Sequence, residues 1–223
     1  MNWQLIFTFL FIIGYLSFLF FIEKYYKARN IKSEYTRKFA HVFATISSLS
    51  FVLIFHSHWY ILIIGIIFFL LLFIGKRKNK FNSIDSVKRD TSGSYLLPIV
   101  IYVLFLIYTT FDNSLYYVLP MLILGISDPI AGLSGTYYKS KTKEIKILTY
   151  NLNKTYLGSS LFFISTLFVS FFTLYFYNFS LEKIIFLTLI LSFVNTIVEM
   201  ISSKGLDNFT VPIVSFIILY YLG

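Results

Sequence analysis

An aspartate stands inside an apolar run: LPMLILGISDPIAGLSG, residues 119–135, holds Asp128 with a proline beside it and three glycines. Placing a carboxylate at the centre of a bilayer costs about 2.5–3.5 kcal/mol on insertion scales, and such groups mark functional sites. Gly125, Asp128, Gly132 and Gly135 recur at i, i+3, i+7 and i+10, a stripe of small residues along one helix side that admits a close neighbour. Pro129 donates no amide, so the helix must be irregular there. Irregular backbone at membrane depth is tolerated where it is buried in protein or lines a wet cavity.

Further reactive residues lie on both sides of this stretch. In EYTRKFAH, the residues Glu34, Arg37, Lys38 and His41 share one helical face at i, i+3, i+4 and i+7. They suit a snorkelling interfacial cluster or a phosphate-binding group. GSYLLP opens another apolar run, with Gly93 as a turn and Ser94 as a candidate N-cap. In NKTYLGSS, the ammonium of Lys154, the hydroxyls of Thr155, Ser159 and Ser160, and the amides near Gly158 can receive an anion at a helix start. No G-x-x-x-x-G precedes them, so the segment is not a P-loop. In FVNTIVEMISSKGLDNFTVP, Asn195 and Glu199 are i, i+4 neighbours inside an apolar helix. Asp207, Asn208 and Thr210 begin the next run after a turn at Gly205.

These groups must be positioned by membrane-spanning helices. The chain of 223 residues is 57% hydrophobic, 21% aromatic and 13% charged, with a mean hydropathy of +0.77. A soluble domain carries about 25% charged residues, so the composition predicts an all-α integral membrane protein, one domain over residues 1–223. Runs of about 20 apolar residues span a bilayer. They predict spans at Trp3–Ile22, Phe39–Phe55, Trp59–Ile74, Tyr95–Thr110, Leu115–Tyr137, Tyr156–Tyr177, Leu181–Ile201 and Phe209–Leu222, a bundle of about seven or eight helices with a broken central one. The first run lacks a basic leader and a cleavage site and reads as a retained span, not a secretory signal. With no cysteine, thiolate catalysis, disulfides and cysteine metal sites are excluded.

The segments after spans one, three and five hold 17 of the 19 basic residues, among them Lys24, Arg29, Lys76, Lys88, Arg89, Lys139, Lys141 and Lys146. By the positive-inside rule these alternate connections face the cytoplasm and the N-terminus faces outward. The net charge of +9 then reflects orientation and anionic lipid, not a nucleic-acid partner. All five reactive segments lean towards that same face. Asp128, Glu199 and Asp207 can there meet Arg37, Lys38 and Lys154, and oxygen ligands of this kind suit Mg²⁺ together with substrate phosphates. The residues alone predict a cytoplasm-facing, metal-assisted phosphate site at the lipid boundary.

In this order the motifs E34-x-x-RK-x-x-H41, GSY-x-x-P, D128-P-x-A-x-x-x-G135, K154-T-x-x-GS159 and V-x-x-x-VE199 followed by D207-N-F-T-V-P212 resemble the phytol/dolichol/polyprenol kinase family. Ser127 stands where that family usually has glycine. The resemblance covers residues 34–212 and implies transfer of the γ-phosphate of CTP to a membrane lipid alcohol, with Mg²⁺. It implies a metal held by Asp128, Glu199 and Asp207, catalytic roles for Asp128, Lys154 and His41, and nucleotide contacts from Arg37, Lys38, Ser94, Gly132, Gly135, Thr155, Gly158, Ser159 and Asn208. Asp128 serves as base, as metal ligand or as both, and His41 as base or as a supporting hydrogen-bond partner. Phytol, farnesol, a polyprenol, dolichol and diacylglycerol all remain open as the alcohol. The alternatives are a phosphatidate cytidylyltransferase-like enzyme, whose paired-aspartate signature is missing from the C-terminal part, and a small cation-coupled transporter.

Overall fold

The computed structural model describes residues 3–29, 31–78, 80, 82–85, 92–138, 142–147 and 150–223. Lys88, Arg89, Lys139 and Lys141, counted above among the loop cations, lie outside them. The described chain forms α1 (Trp3–Arg29), α2 (Ser33–Ser48), a short continuation α3 (Phe51–Ile54), α4 (His58–Arg77), a single turn α5 (Asn82–Asp85), α6 (Gly93–Phe111), α7 (Leu115–Leu122), a π-helical segment (Ile123–Ser127), α8 (Asp128–Tyr137), strands β1 (Glu144–Ile147) and β2 (Tyr150–Thr155), then α9 (Tyr156–Phe176), α10 (Leu181–Ile201) and α11 (Asp207–Leu222). Among the described residues, seven helical stretches are long and apolar enough to cross a membrane. The sixteen residues of α11 reach about 24 Å at 1.5 Å per residue, short of the about 30 Å hydrocarbon core. The protein is an all-α membrane bundle, as its composition predicts.

The first helix runs on to Arg29, past the predicted end at Ile22, and two further features differ from the expectation. The second span begins at Ser33 instead of Phe39, because the face bearing Lys38 and His41 is buried against protein and not solvated at an interface. The fifth connection contains an antiparallel hairpin, with Glu144 opposite Thr155. The alternation of Ile145 and Ile147 with Glu144 and Lys146, and of Tyr150 and Leu152 with Asn151 and Asn153, was the available strand signal.

Large side chains on the outer surface face the bilayer. Phe20 and Phe21 on α1 are 66% and 63% exposed, which only an apolar solvent makes favourable. Inside, the broken helix divides two apolar cores. Tyr117, Met121 and Leu124 pack with α1, α2, α4 and α6. Leu115, Leu119, Ile123 and Ala131 pack with α9, α10 and α11. Up to Leu124 each set recurs every three or four residues, so opposite faces of one helix serve the two cores.

Short polar contacts fix the remaining pieces. The Ser83 amide donates to Glu23 at 2.9 Å and the Thr36 hydroxyl donates to the Ser83 carbonyl, pinning α5 across α1 and α2. The turn into α11 has left-handed backbone at Lys204 (φ 53°) and Gly205 (φ 82°). The amide and hydroxyl of Ser92 both donate to the Lys204 carbonyl, at 2.8 and 2.9 Å, which ties this turn to the start of α6.

Candidate functional site

At the π-helical segment the chain opens a carbonyl. Hydrogen bonding in π register offers the Leu124 carbonyl the nitrogen of Pro129, which bears no hydrogen. His41 Nε2 lies 3.2 Å from that carbonyl and donates to it as the Nε2–H tautomer. It is also 3.6 Å from Asp128 Oδ2. Lys38 Nζ sits 2.6 Å from the same carboxylate oxygen, and both side chains are under 10% exposed. Thus α2 supplies the cation and the imidazole, while the broken helix supplies the carboxylate.

The glycine stripe makes this approach possible. A Cβ on Gly125 would lie 2.5 Å from Thr45 Oγ1, and one on Gly132 would lie 2.7 Å from Lys38 Cε. Gly135 faces the other neighbour, where a Cβ would lie 2.9 Å from Thr155 Oγ1. Asp128 stands nine residues before the end of α8, about 13 Å deep at 1.5 Å per residue.

A second charged group stands beside the first. Lys154, at the end of β2, donates to Glu199 of α10 and, at 3.0 Å, to Asp207 of α11. Burial works against its charge, but Asp207 and Glu199 outweigh that effect, with Asp128 adding to them, and the ammonium titrates above the ordinary lysine value. Thr155 caps α9 by accepting the Gly158 amide at 3.1 Å. The Ser159 hydroxyl donates to Glu199 at 3.4 Å. Asn208 Nδ2 donates to the Gly93 carbonyl at 2.8 Å, placing the start of α11 beside Ser94.

The predicted residues therefore gather, but with partners the sequence did not specify. Arg37 pairs with Glu34 of its own helix at 2.7 Å, whereas Lys38 crosses to Asp128. The three carboxylates stand as two lysine-bridged groups. Among the described residues no three His, Asp or Glu side chains assemble as a metal-ligand set. The reason is electrostatic: buried carboxylates repel one another unless a cation stands between them.

Sequence reading missed two features. The first is a mainly apolar cavity between α1, α2, α4 and α6. Phe11, Leu19, Ile61, Phe68 and Leu97 contribute to its walls, and Arg37, Lys38, His41, Ser94 and Asn208 gather at one end. Wall residues look like any other apolar positions, so no motif marks them. The second is a buried polar ladder between α9 and α10. With Ser159 against Glu199 setting the antiparallel register, Thr166 comes level with Ser192 and Ser170 with Thr188, all of them buried. Asn195 is fully buried, and neither side-chain polar atom has a partner among the described residues. The spacing of these small polar residues at three to four positions was the available signal.

Compared with family models, curated proteins and solved structures, the chain matches none.

Proposed function

We propose that the protein is a membrane lipid kinase that transfers the γ-phosphate of a nucleoside triphosphate, CTP on the motif resemblance, to the hydroxyl of a long-chain isoprenoid alcohol at the cytoplasmic face. The observation carrying this reading is the apolar cavity whose polar end is formed by Lys38 and His41, the same two side chains that hold Asp128. A lipid tail in the cavity brings its hydroxyl to the buried carboxylate.

The chemistry follows from these placements. The alcohol oxygen forms a bond to the γ-phosphorus, and the bond from that phosphorus to the nucleoside diphosphate oxygen breaks. Asp128 takes the hydroxyl proton, with His41 and Lys38 fixing its orientation. Phosphoryl transfer needs positioning and charge neutralisation above all, and Lys38, Lys154 and Arg37 supply cations on the phosphate side. The donor set at Glu199 and Asp207, two carboxylates sharing one cation, fits Mg²⁺, which takes one or two carboxylates with substrate phosphates. Bound there, Mg²⁺ would neutralise phosphate charge while Lys154 turns towards the nucleotide.

The test is purified protein in mixed micelles with Mg²⁺, γ-labelled CTP or ATP, and a panel of lipid alcohols. Label should enter one alcohol class and disappear in Asp128→Asn. Intact nucleotide with no labelled lipid across the panel would refute the kinase. The second reading, a cation-coupled transporter, draws on the polar ladder beside a broken helix. Nucleotide-independent cation flux in proteoliposomes, abolished by Asp128→Asn, would favour it.

A further inference from the structure

Packing closes the cavity sideways. Between α4 and α6, Gly65 and Pro98 form a tight seam. A Cβ on Gly65 would already lie 3.5 Å from the Pro98 carbonyl and 3.7 Å from Tyr102 Cβ, ordinary contact distances. Between α1 and α4, the Tyr15 ring stands edge-on to Phe68 at 4.9 Å. Between α1 and α2, the Tyr15 hydroxyl donates to the Ala40 carbonyl at 3.4 Å, and the Phe18 and Phe43 rings stack at 3.8 Å. The broken helix backs α2 and α6, with Tyr117 and Met121 fully buried.

The end remote from the charged groups is closed as well. Phe51 of α3 and Ile61 of α4 line the cavity there and are 1% and 0% exposed. Phe11 meets Phe51 edge-on at 4.7 Å, and Phe55 stands behind Phe51 at 5.5 Å. Polar groups therefore mark one end of the cavity, and an aromatic floor the other.

The α4 helix sets the depth between them. Leu72 and Ile61 both line the cavity and stand about 16 Å apart along the helix at 1.5 Å per residue. The seam of Gly65 against Pro98 fixes the antiparallel register of α4 and α6, which brings Ser94 within a turn of Leu72. A hydrocarbon chain with bonds of about 1.5 Å, all staggered, advances about 1.25 Å per carbon. The cavity then holds about 13 carbons in line. An isoprenoid chain carries about four in-line carbons per unit, so about three units fill this depth and a fourth meets Phe51.

We propose that the cavity is a closed-ended ruler that selects an alcohol of about three isoprene units, its head at Lys38 and Ser94 and its tip against Phe51 and Ile61. Phe51 and Ile64, the latter about 12 Å from Leu72 along α4, are the residues that set the limit. The inference rests on the lipid-alcohol reading for the head group, while the length limit is a property of the apolar walls.

The experiment measures binding first and phosphate transfer second. Purified protein in nanodiscs is loaded with a tritiated three-unit isoprenoid alcohol. Alcohols of two, three, four and five units then compete, each expressed as a mole fraction of the nanodisc lipid. In the wild type, competition should be strongest at three units and at least about tenfold weaker at four, the scale of an overpacked core. Phe51→Ala should bring the four-unit alcohol level with the three-unit one. Ile64→Phe should move the optimum to two units. Each profile is a ratio within one preparation, so a variant that folds in lower yield still reports its optimum. Equal competition by longer alcohols in the wild type, or optima that move in neither variant, would overturn the ruler. So would failure of the wild type to retain the three-unit probe. The same alcohols offered with Mg²⁺ and γ-labelled CTP separate the two readings. The expected binding profile without phosphate transfer retains the ruler and rejects the kinase, and transfer with no break in length does the reverse.

Discussion

Lys38 and Asp128 form the central contact of the site, and the contact depends on Gly132. Introducing a Cβ there pushes the end of a flexible lysine and not backbone, so the fold should accommodate Gly132→Ala while the pair separates. Lipid phosphorylation is expected to drop at least about tenfold, within the range for misplacing a catalytic group, with a loss of thermal stability smaller than that of removing the cation altogether. Lys38→Met differs, since it leaves the Asp128 carboxylate buried without its cation. Removing one partner of a buried pair costs about 3–5 kcal/mol, so this variant should lose both activity and thermal stability. Lys154 makes a prediction about pH. Its raised pKa means that its stabilising contribution is complete below the unfolded lysine value of about 10.4 and is lost only as pH rises through the still higher folded value. The difference in unfolding temperature between the wild type and Lys154→Met should therefore stay flat from about pH 7 to about pH 9. A difference that shrinks across this interval would contradict the two-carboxylate arrangement.

The broken helix shows how an element turns a sequence irregularity into a site. Pro129 and the π-helical segment shift the phase of α8 against α7, and each residue of shift rotates a helix face by about 100°. Pro129→Ala restores an amide to the ladder. The expected result is a more regular helix in which Asp128 leaves Lys38, so activity falls and the regained amide offsets only part of the stability lost with the buried pair. Asn195 on α10 poses the opposite question. An unpartnered buried polar group costs about 1–3 kcal/mol, and Asn195→Leu removes both of its orphaned atoms at similar volume. Thermal unfolding should shift upward; a downward shift would mean that the ladder is held by a polar occupant. At this scale the sequence was partly legible. The proline, the glycine stripe and the lone aspartate announced a break, and the break is there. The exchange of partners, with Arg37 kept at home and Lys38 sent across to α8, was not legible. Both are cations on one face of α2, and the choice is made by Gly132 on a different helix.

For the whole molecule, the apolar runs sufficed to read the bundle, because a helix facing lipid must bear apolar residues regardless of its neighbours. The cavity was hidden for the same reason: its lining and the bilayer-facing surface use the same residue types, as Phe68 and Phe20 illustrate. Orientation is the remaining question at this scale, and the kinase reading depends on it. The basic connections lead into α2 and α6, which carry Lys38 and Ser94, and the third of them contains Lys154 at the end of β2, so the positive-inside rule and the need for cytosolic nucleotide demand the same arrangement. The chain contains no cysteine, so an introduced cysteine is the sole thiol of the chain when it is purified after labelling in intact cells. Ser57→Cys and Ser180→Cys lie at the opposite ends of α4 and α10 from the charged groups and should react with a membrane-impermeant thiol reagent added outside. Lys78→Cys and Lys143→Cys, at exposed positions on the basic side, should react only after permeabilisation. The reverse pattern would turn Asp128 and Lys154 away from cytosolic nucleotide, and the kinase would have to be abandoned even with every contact in the site intact.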